Sequence, residues 1–488
     1  MAVLLIPILL PIAGGVILLA SKKFEDRKIR NTFTGFCLIV SAAATLATIF
    51  CVDGTLTLFN ITENAVVSLR CDGLTKFFAV LMSLMWTLVG FYAFDYMKHE
   101  EHERRFFGFY LIVMGVLSGI YMSANLLTIY LFYEMMTLTS LPLVLHSLTK
   151  EAISAGKKYL FYSVGGAFLS LVAIFYIYTK CNTADFVAGG FIGQAAEGDR
   201  GMLLVFVFLA IIGFGCKAGL FPLQDWLPTA HPVAPSPASA VLSGLITKSG
   251  VFVIIRLIYF SIGADFIRGT WVQYGWMILS LLTVFLGSMM AYMEKVMKKR
   301  FAYSTVSQVS YVLFGLSLLN VTGFTGAMMH VIFHSVIKDG LFLVAGAIIV
   351  HTGIKNVDEL RGIGKKMPTV IWCYTFFALA LVGIPPASGF VSKWYLCLGA
   401  LEGDVGALRF IGPAVLLISA LLTAGYLLPI TIHGFFPGND FDYSKCNKCK
   451  VSPLMIVPLV ILAIAAVGFG IFPDVVKNGI EAITGGLF

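Results

Sequence analysis

The chain has 488 residues, of which 58% are hydrophobic and 12% charged, with a formal net charge of +8. Soluble domains average roughly 45–50% apolar and about 25% charged residues, so an ordinary soluble enzyme, a disordered chain and a nucleic-acid-binding domain are excluded. The basic residues sit in short clusters between apolar runs, the pattern of an integral membrane protein.

A crossing helix needs about 20 residues. Apolar windows of that order fall at 2–20, 32–52, 73–96, 106–122, 124–147, 159–179, 201–221, 235–262, 272–293, 301–319, 324–350, 369–400, 409–434 and 453–472. They are too long for barrel strands and lack alternation of period two, so they are read as about fourteen transmembrane helices of an all-α protein. The first run, MAVLLIPILLPIAGGVILLASKK, has neither a basic leader nor a small-residue cleavage site. It reads as a retained span rather than a signal peptide.

Lysine and arginine set the expected direction. The connections 21–31, 97–105, 148–158, 294–300, 353–367 and 435–452 hold 22 of them, against 7 on the other side. The positive-inside rule puts the first set in the cytoplasm. The expected location is the inner (cytoplasmic) membrane, multi-pass, with both termini outside. The expected organisation is an N-terminal three-helix region (1–105), a first repeat of spans 4–8 (106–262), a second repeat of spans 9–13 (272–434), and a cytoplasmic loop with the last span (435–488). A five-helix unit reverses direction in its second copy, so the two repeats are expected to be inverted.

Ionisable residues inside the runs are the functional candidates, because a charge at the bilayer centre costs ~2.5 to more than 10 kcal/mol. Span 5 holds Glu134, span 7 Lys217, span 8 Lys248, span 11 His330, His334 and Lys338, and span 12 Lys393. Glu134 is read as a charge-coupling switch for Lys217; the alternative is a structural ion pair or a neutral acid. Lys248 and Lys338 lie near mid-span, too deep to snorkel. His330, His334 and Lys338, spaced i, i+4, i+8, share one helical face. That face can pass a proton, since imidazole titrates near neutrality; for His330 a satisfied core histidine is the competing reading. HxxxH is also a two-ligand metal face, but no third ligand is evident, so no metal is expected.

Two segments carry breaks. Five prolines follow Lys217, beginning with Pro222, and Pro385–Pro386 precede Lys393. Proline cannot donate the helix hydrogen bond, and freed backbone groups are tolerated at membrane depth only against protein or water. Spans 7 and 12 are therefore expected to be broken helices in equivalent places, and the lysines to form a lateral chain along the mid-membrane.

Little else carries chemistry. Five of the nine cysteines (Cys37, Cys51, Cys216, Cys373 and Cys397) lie in apolar runs, where cysteine behaves as a small hydrophobe. No disulfide framework is apparent. Cys446 and Cys449 form a lone CxxC, half a zinc site or a redox pair, and read as incidental loop residues. No Walker A motif, full GxGxxG or cluster-binding cysteine run is present, so no cofactor is expected in this chain.

The stretches LFYEMMTLTSLPLV, KAGLFPLQDWLPTAHPVAPSPASAVLSGLITKSGVF, AYSTVSQVSYV, HVIFHSVIKDGLFL and IPPASGFVSKW resemble the antiporter-like subunits of complex I, Mrp-type cation/proton antiporters and energy-converting membrane-bound hydrogenases. The resemblance implies fourteen helices with inverted repeats. It implies a glutamate on span 5, matched by Glu134, and a lysine on broken span 7, matched by Lys217. Lys248 matches the linking base on span 8, His334 and Lys338 the pair on span 11, and Lys393 the terminal residue on span 12. A lysine at that last place resembles the Mrp D-type and hydrogenase-type members. The implied function is ion translocation, of protons alone or of protons coupled to sodium, within a complex of several membrane subunits in the lipid bilayer. A redox-driven complex is the first reading, a non-redox Mrp antiporter the second, and a scaffold with structural charges the third. Two features depart from the pattern: Asp339 follows Lys338 where a small or apolar residue is expected, and residues 473–488 are too few for a long lateral helix. Asp339 is expected to pair with a basic group on another helix.

Overall fold

The computed structural model describes residues 1–62, 65–181, 185–195, 197–438, 441 and 449–488. The chain folds as a bundle of membrane-length helices. The first six are α1 (Ala2–Ala20), α2 (Arg27–Cys51), α3 (Gly73–Tyr96), α4 (Glu103–Met122), α5 (Leu126–Val144) and α6 (Lys150–Lys180). Then come α7 (Arg200–Ala218), the short α8 (Trp226–Val233), α9 (Ser236–Ile262), α10 (Trp271–Met293), α11 (Met297–Ser317) and α12 (Val321–Thr352). The last are α13 (Pro368–Val382), α14 (Ser388–Glu402), α15 (Leu408–Phe435), α16 (Pro453–Ile471) and α17 (Asp474–Thr484).

Twelve helices among the described residues are long and apolar enough to cross a membrane. The protein is thus a multi-pass membrane protein. The two further windows read from the sequence correspond to α11, which opens on Met-Lys-Lys-Arg, and to the pair α13–α14, each half 15 residues long. At 1.5 Å per residue neither half spans a bilayer alone.

Side-chain caps fix several helix starts. Asp72 accepts from Thr75 N, Asn125 from Thr128 N and Asn320 from Gly323 N; each satisfies a backbone donor that the first turn leaves open. The sequence reading did not include a hairpin between α2 and α3. Strands β1 (Thr55–Asn60) and β2 (Val66–Arg70) pair antiparallel, Thr55 with Arg70 and Asn60 with Val66. Its trace in the sequence is the alternation Thr-Leu-Thr-Leu, too short to register among long apolar runs. Asn125 ties it to α5 by donating to Val66 O (2.9 Å) and Ser68 Oγ (3.0 Å).

A helix that is apolar all round belongs in the interior, and two helices occupy that place. Every residue of α9 is buried, and α12 is buried from Gly323 to Ile348 except at Ile332. These helices carry most of the ionisable candidates. Arg256 of α9 is pinned by a two-pronged ion pair, Nη1 to Asp72 Oδ2 (2.6 Å) and Nη2 to Asp72 Oδ1 (2.7 Å). Burial by itself raises the Asp72 carboxyl, but the Arg256 guanidinium outweighs it and holds the group below the usual carboxylate range. A depressed carboxyl contributes stability above its unfolded pKa and loses it as pH falls through the folded value. Asp72→Ala strands a buried guanidinium, for which the cost is ~3–5 kcal/mol. The expected result is a clearly lower melting temperature of the solubilised protein at neutral pH; an unchanged one would show the pair to be dispensable.

Candidate functional site

Lys217 occupies the last turn of α7. The helix ends at Gly219, whose φ of +76° suits a residue without a side chain, and Pro222 lies in the break before α8. Trp226 Nε1 donates to Cys216 O (2.9 Å), a carbonyl of the last turn that also accepts from Gly219 N (3.0 Å). Lys217 is fully buried. Its ammonium donates to Thr137 Oγ1 and lies over the Tyr133 ring, 4.4 Å from the centroid. Glu134 is on the same helix as both and is half-buried; its Oε1 is shielded and has no hydrogen-bond partner among the described residues. The Glu134 and Lys217 charges act on each other, but no ion pair within 4.0 Å joins them among the described residues. The contact goes to Thr137, one turn along. Lysine and acid are coupled through space and not clamped.

Lys248 is on α9, just after a π-turn at Leu242–Ile246. Such insertions often mark functional sites. The ammonium donates to Ser243 O (2.7 Å) and to His334 Nδ1 (2.8 Å). Between Lys217 and Lys248 the helices touch backbone to backbone: a Cβ at Gly250 would stand 2.8 Å from Ala218 N and from Phe214 O.

On α12 the His330 and His334 rings stack at 5.9 Å. His330 Nδ1 shares a hydrogen bond with Ser392 Oγ (2.9 Å), and its ring stacks on Tyr311 at 5.5 Å. The Lys393 ammonium lies over the same Tyr311 ring, at 5.4 Å. Lys393 follows its break: α13 ends at Gly383 (φ +92°), Pro385 and Pro386 lie in the connection, and the lysine on α14 reaches back to Leu381 O (2.6 Å) and Val382 O (2.8 Å). These are among the carbonyls a helix end leaves unpaired.

The structure therefore joins Lys248, His334, His330 and Ser392 into one buried line, and Lys393 approaches its end over the Tyr311 ring. Two expectations need adjustment. Lys338 shares the face of the two histidines, yet its ammonium turns away to Phe301 O (3.1 Å) on α11, so it flanks the line. Asp339 makes no direct contact with a basic group: both oxygens are buried without a hydrogen-bond partner among the described residues, although Lys248 acts on it through space. The helices end before the prolines in both places, at Ala218 and at Val382, Lys217 preceding its break and Lys393 following it. The amines do not reach for the surface singly. Lys217, Lys248 and Lys338 are 0% exposed, and Lys393 is half-buried.

Thr137, Tyr133, Ser243, Tyr311 and Ser392 contribute contacts that the sequence reading did not single out. Serine, threonine and tyrosine are common in spans, and only the fold shows which of them meet a lysine. His231 was also missed; it is buried and stacked on Phe342 at 4.6 Å, with both ring nitrogens unpartnered among the described residues. The imidazole nitrogens of His330 and His334 that face neighbours go to Ser392 and Lys248, and among the described residues no three His, Cys, Asp or Glu side chains gather as a metal set. Of the Cys446–Cys449 pair, Cys446 lies outside the described residues.

Residues 123–423 match the family pattern described as NADH:quinone oxidoreductase/Mrp antiporter, transmembrane, and residues 60–107 match NADH-ubiquinone oxidoreductase (complex I), chain 5 N-terminus. The chain is 30% identical over 429 residues to the N component of NADH-quinone oxidoreductase from Desulforudis audaxviator, covering 85% of this chain and 84% of the relative. It is 31% identical over 405 residues to the D component of the Na(+)/H(+) antiporter from Alkalihalophilus pseudofirmus, covering 81% and 80%. Its fold is similar to that of a chain in the membrane-bound sulfane sulfur reductase, an archaeal respiratory membrane complex, with a TM-score of 0.86 at 20% identity, covering 100% of this chain and 97% of the other.

Proposed function

Because the chain belongs to the NADH:quinone oxidoreductase/Mrp antiporter membrane family, we propose that its buried line of titratable side chains relays protons sideways through the molecule. The protein is an ion-translocating, antiporter-like membrane subunit. Protons pass along Glu134, Lys217, Lys248, His334, His330 and Lys393, with Lys338 setting the field beside them. The observation that carries this reading is the pair of hydrogen-bonded links, Lys248 to His334 and His330 to Ser392, all four of them buried side chains. A neutral imidazole both accepts and donates, so the stacked histidines suit transfer between the two lysines.

Glu134 acts at the entry. Moving a carboxylate toward or away from Lys217 changes how readily that amine holds a proton, and ~1.4 kcal/mol of such coupling is about a tenfold change in proton affinity. The chain works within a complex of several membrane subunits, in the cytoplasmic membrane with both termini outside, as the excess of basic residues on one side supports. Spans 4–8 and 9–13 act as inverted halves around the line. The redox chemistry resides in partner subunits, and this chain carries no cofactor. The 31% identity to the D component of an Na(+)/H(+) antiporter, together with lysine at 393, favours a second reading, a D-type member of a non-redox antiporter. Metal and flavin content of the purified assembly separates the two.

Proton uptake into inverted membrane vesicles holding the assembled complex tests the relay. Lys217→Ala is expected to stop uptake, and Glu134→Ala to slow it about tenfold, the factor that one unit of lost coupling corresponds to. Assembly is checked on a native gel. Full uptake in both variants would refute the relay and return the charges to a structural role.

A further inference from the structure

Asp339 is a buried charged side chain that the relay does not use. It is 0% exposed, and its two carboxylate oxygens have no hydrogen-bond partner among the described residues. Buried polar atoms almost always find a partner, and a carboxylate with both oxygens orphaned calls for an explanation.

Its place supplies one. The carboxylate fills a notch at Gly244: a Cβ there would stand 1.8 Å from Asp339 Oδ1 and 2.5 Å from Cγ. Gly244 lies in the π-turn Leu242–Ile246, just before Lys248. Ser243 O accepts from the Lys248 ammonium (2.7 Å), and the next carbonyl, Gly244 O, is taken by Ser335 Oγ (2.6 Å). Ammonium and carboxylate therefore rest against neighbouring residues of one turn, and their charges act on each other. Tyr110 of α4 also stands in the field of Asp339. His334, the present partner of Lys248, precedes Asp339 on the same helix.

We propose that Asp339 is a further proton-carrying residue, a second acceptor for Lys248 held in the notch that Gly244 opens. This rests on the relay reading given above. In the step, an N–H bond of the Lys248 ammonium breaks and an O–H bond forms on Asp339, leaving a neutral amine and a neutral carboxylic acid. No electrons move and no third reactant is needed. Two buried charges become none, so the transfer separates no charge in a low-dielectric site. The emptied amine can take the next proton from the Lys217 side while Asp339 holds the first and later returns it. The central lysine thus has two outlets, His334 and Asp339.

The test uses the assembled complex in inverted vesicles, with infrared difference spectra of the purified complex under turnover. Asp339→Asn preserves shape and removes the titratable group. It is expected to slow proton uptake at least tenfold and to abolish a carboxylic-acid carbonyl band that appears in the native protein. Gly244→Ala displaces the carboxylate and is expected to slow uptake in the same way, with the double variant no slower than either single one. Slow uptake with the band retained would overturn the proposal in favour of a structural role, as would native uptake in Asp339→Asn. Lys217→Ala is measured alongside. If it is inactive while Asp339→Asn is native, only this proposal fails; if both are native, the relay itself fails.

Discussion

Lys248→Met is expected to reduce proton uptake to background, a fall of ~100-fold or more, the range seen when a positioned proton-transfer group is lost. The reason is its position. The lysine donates to Ser243 O and to His334 Nδ1, and so joins α9 to a helix 86 residues further along the chain. On one side stands Lys217, hydrogen-bonded only toward Thr137 among the described residues; on the other stands the stacked histidine pair. Among the described residues nothing else titratable makes a hydrogen bond to His334. Methionine has a similar length and no charge, so packing is largely kept. Loss of the ammonium leaves His334 Nδ1 without its donor, a cost of ~1–3 kcal/mol set against the relieved desolvation of a buried charge, and the variant is expected to assemble. Uptake in vesicles and the native-gel band intensity are measured on the same preparation. Native-like uptake in a well-assembled Lys248→Met complex would show that protons do not cross at this point.

The parts of this molecule that could be read from its sequence are those with a large energetic signature. Spans are legible because oil tolerates only long apolar helices with satisfied backbones. The lysines are legible because charges are otherwise excluded from such runs. The breaks announce themselves by proline at Pro222 and at Pro385–Pro386. What could not be read is which partner each charge chooses. Glu134 and Thr137 are both candidates for Lys217 on the same helix, and only packing sends the ammonium to the hydroxyl. Lys338 has the helical spacing to join the histidines, yet the Phe301 carbonyl captures it. The π-turn that sets the aim of Lys248 leaves no trace in hydropathy, since Leu-Ser-Gly-Leu-Ile reads as ordinary helix. The hairpin at Thr55–Arg70 is too short beside the neighbouring spans to stand out. The match to the family covers residues 123–423, where the charges lie.

Gly389→Ala is expected to cost both stability and transport, although it adds one methyl group and leaves every titratable residue in place. A Cβ at Gly389 would lie 1.9 Å from Ala380 O, and that atom belongs to a helix backbone, which cannot swing aside. The two halves of the broken helix must then separate. Overpacking of this kind costs ~1–3 kcal/mol where the surroundings can shift. The separation acts on Lys393 directly. Its ammonium is held by Leu381 O and Val382 O of α13, while its backbone moves with α14. Ser392, the partner of His330, moves with it. Pulling α14 outward therefore stretches the two contacts that close the line at this end. Melting of the solubilised complex is expected to fall by several degrees, since 1 kcal/mol corresponds to roughly 2–4 °C for a chain of ~150–250 residues and less for a longer one. Proton uptake is expected to fall more steeply than stability at the assay temperature, where the complex remains assembled. A Gly389→Ala complex with native melting and native uptake would show that α13 and α14 are not pressed together at this glycine, and that the grip on Lys393 does not depend on their contact.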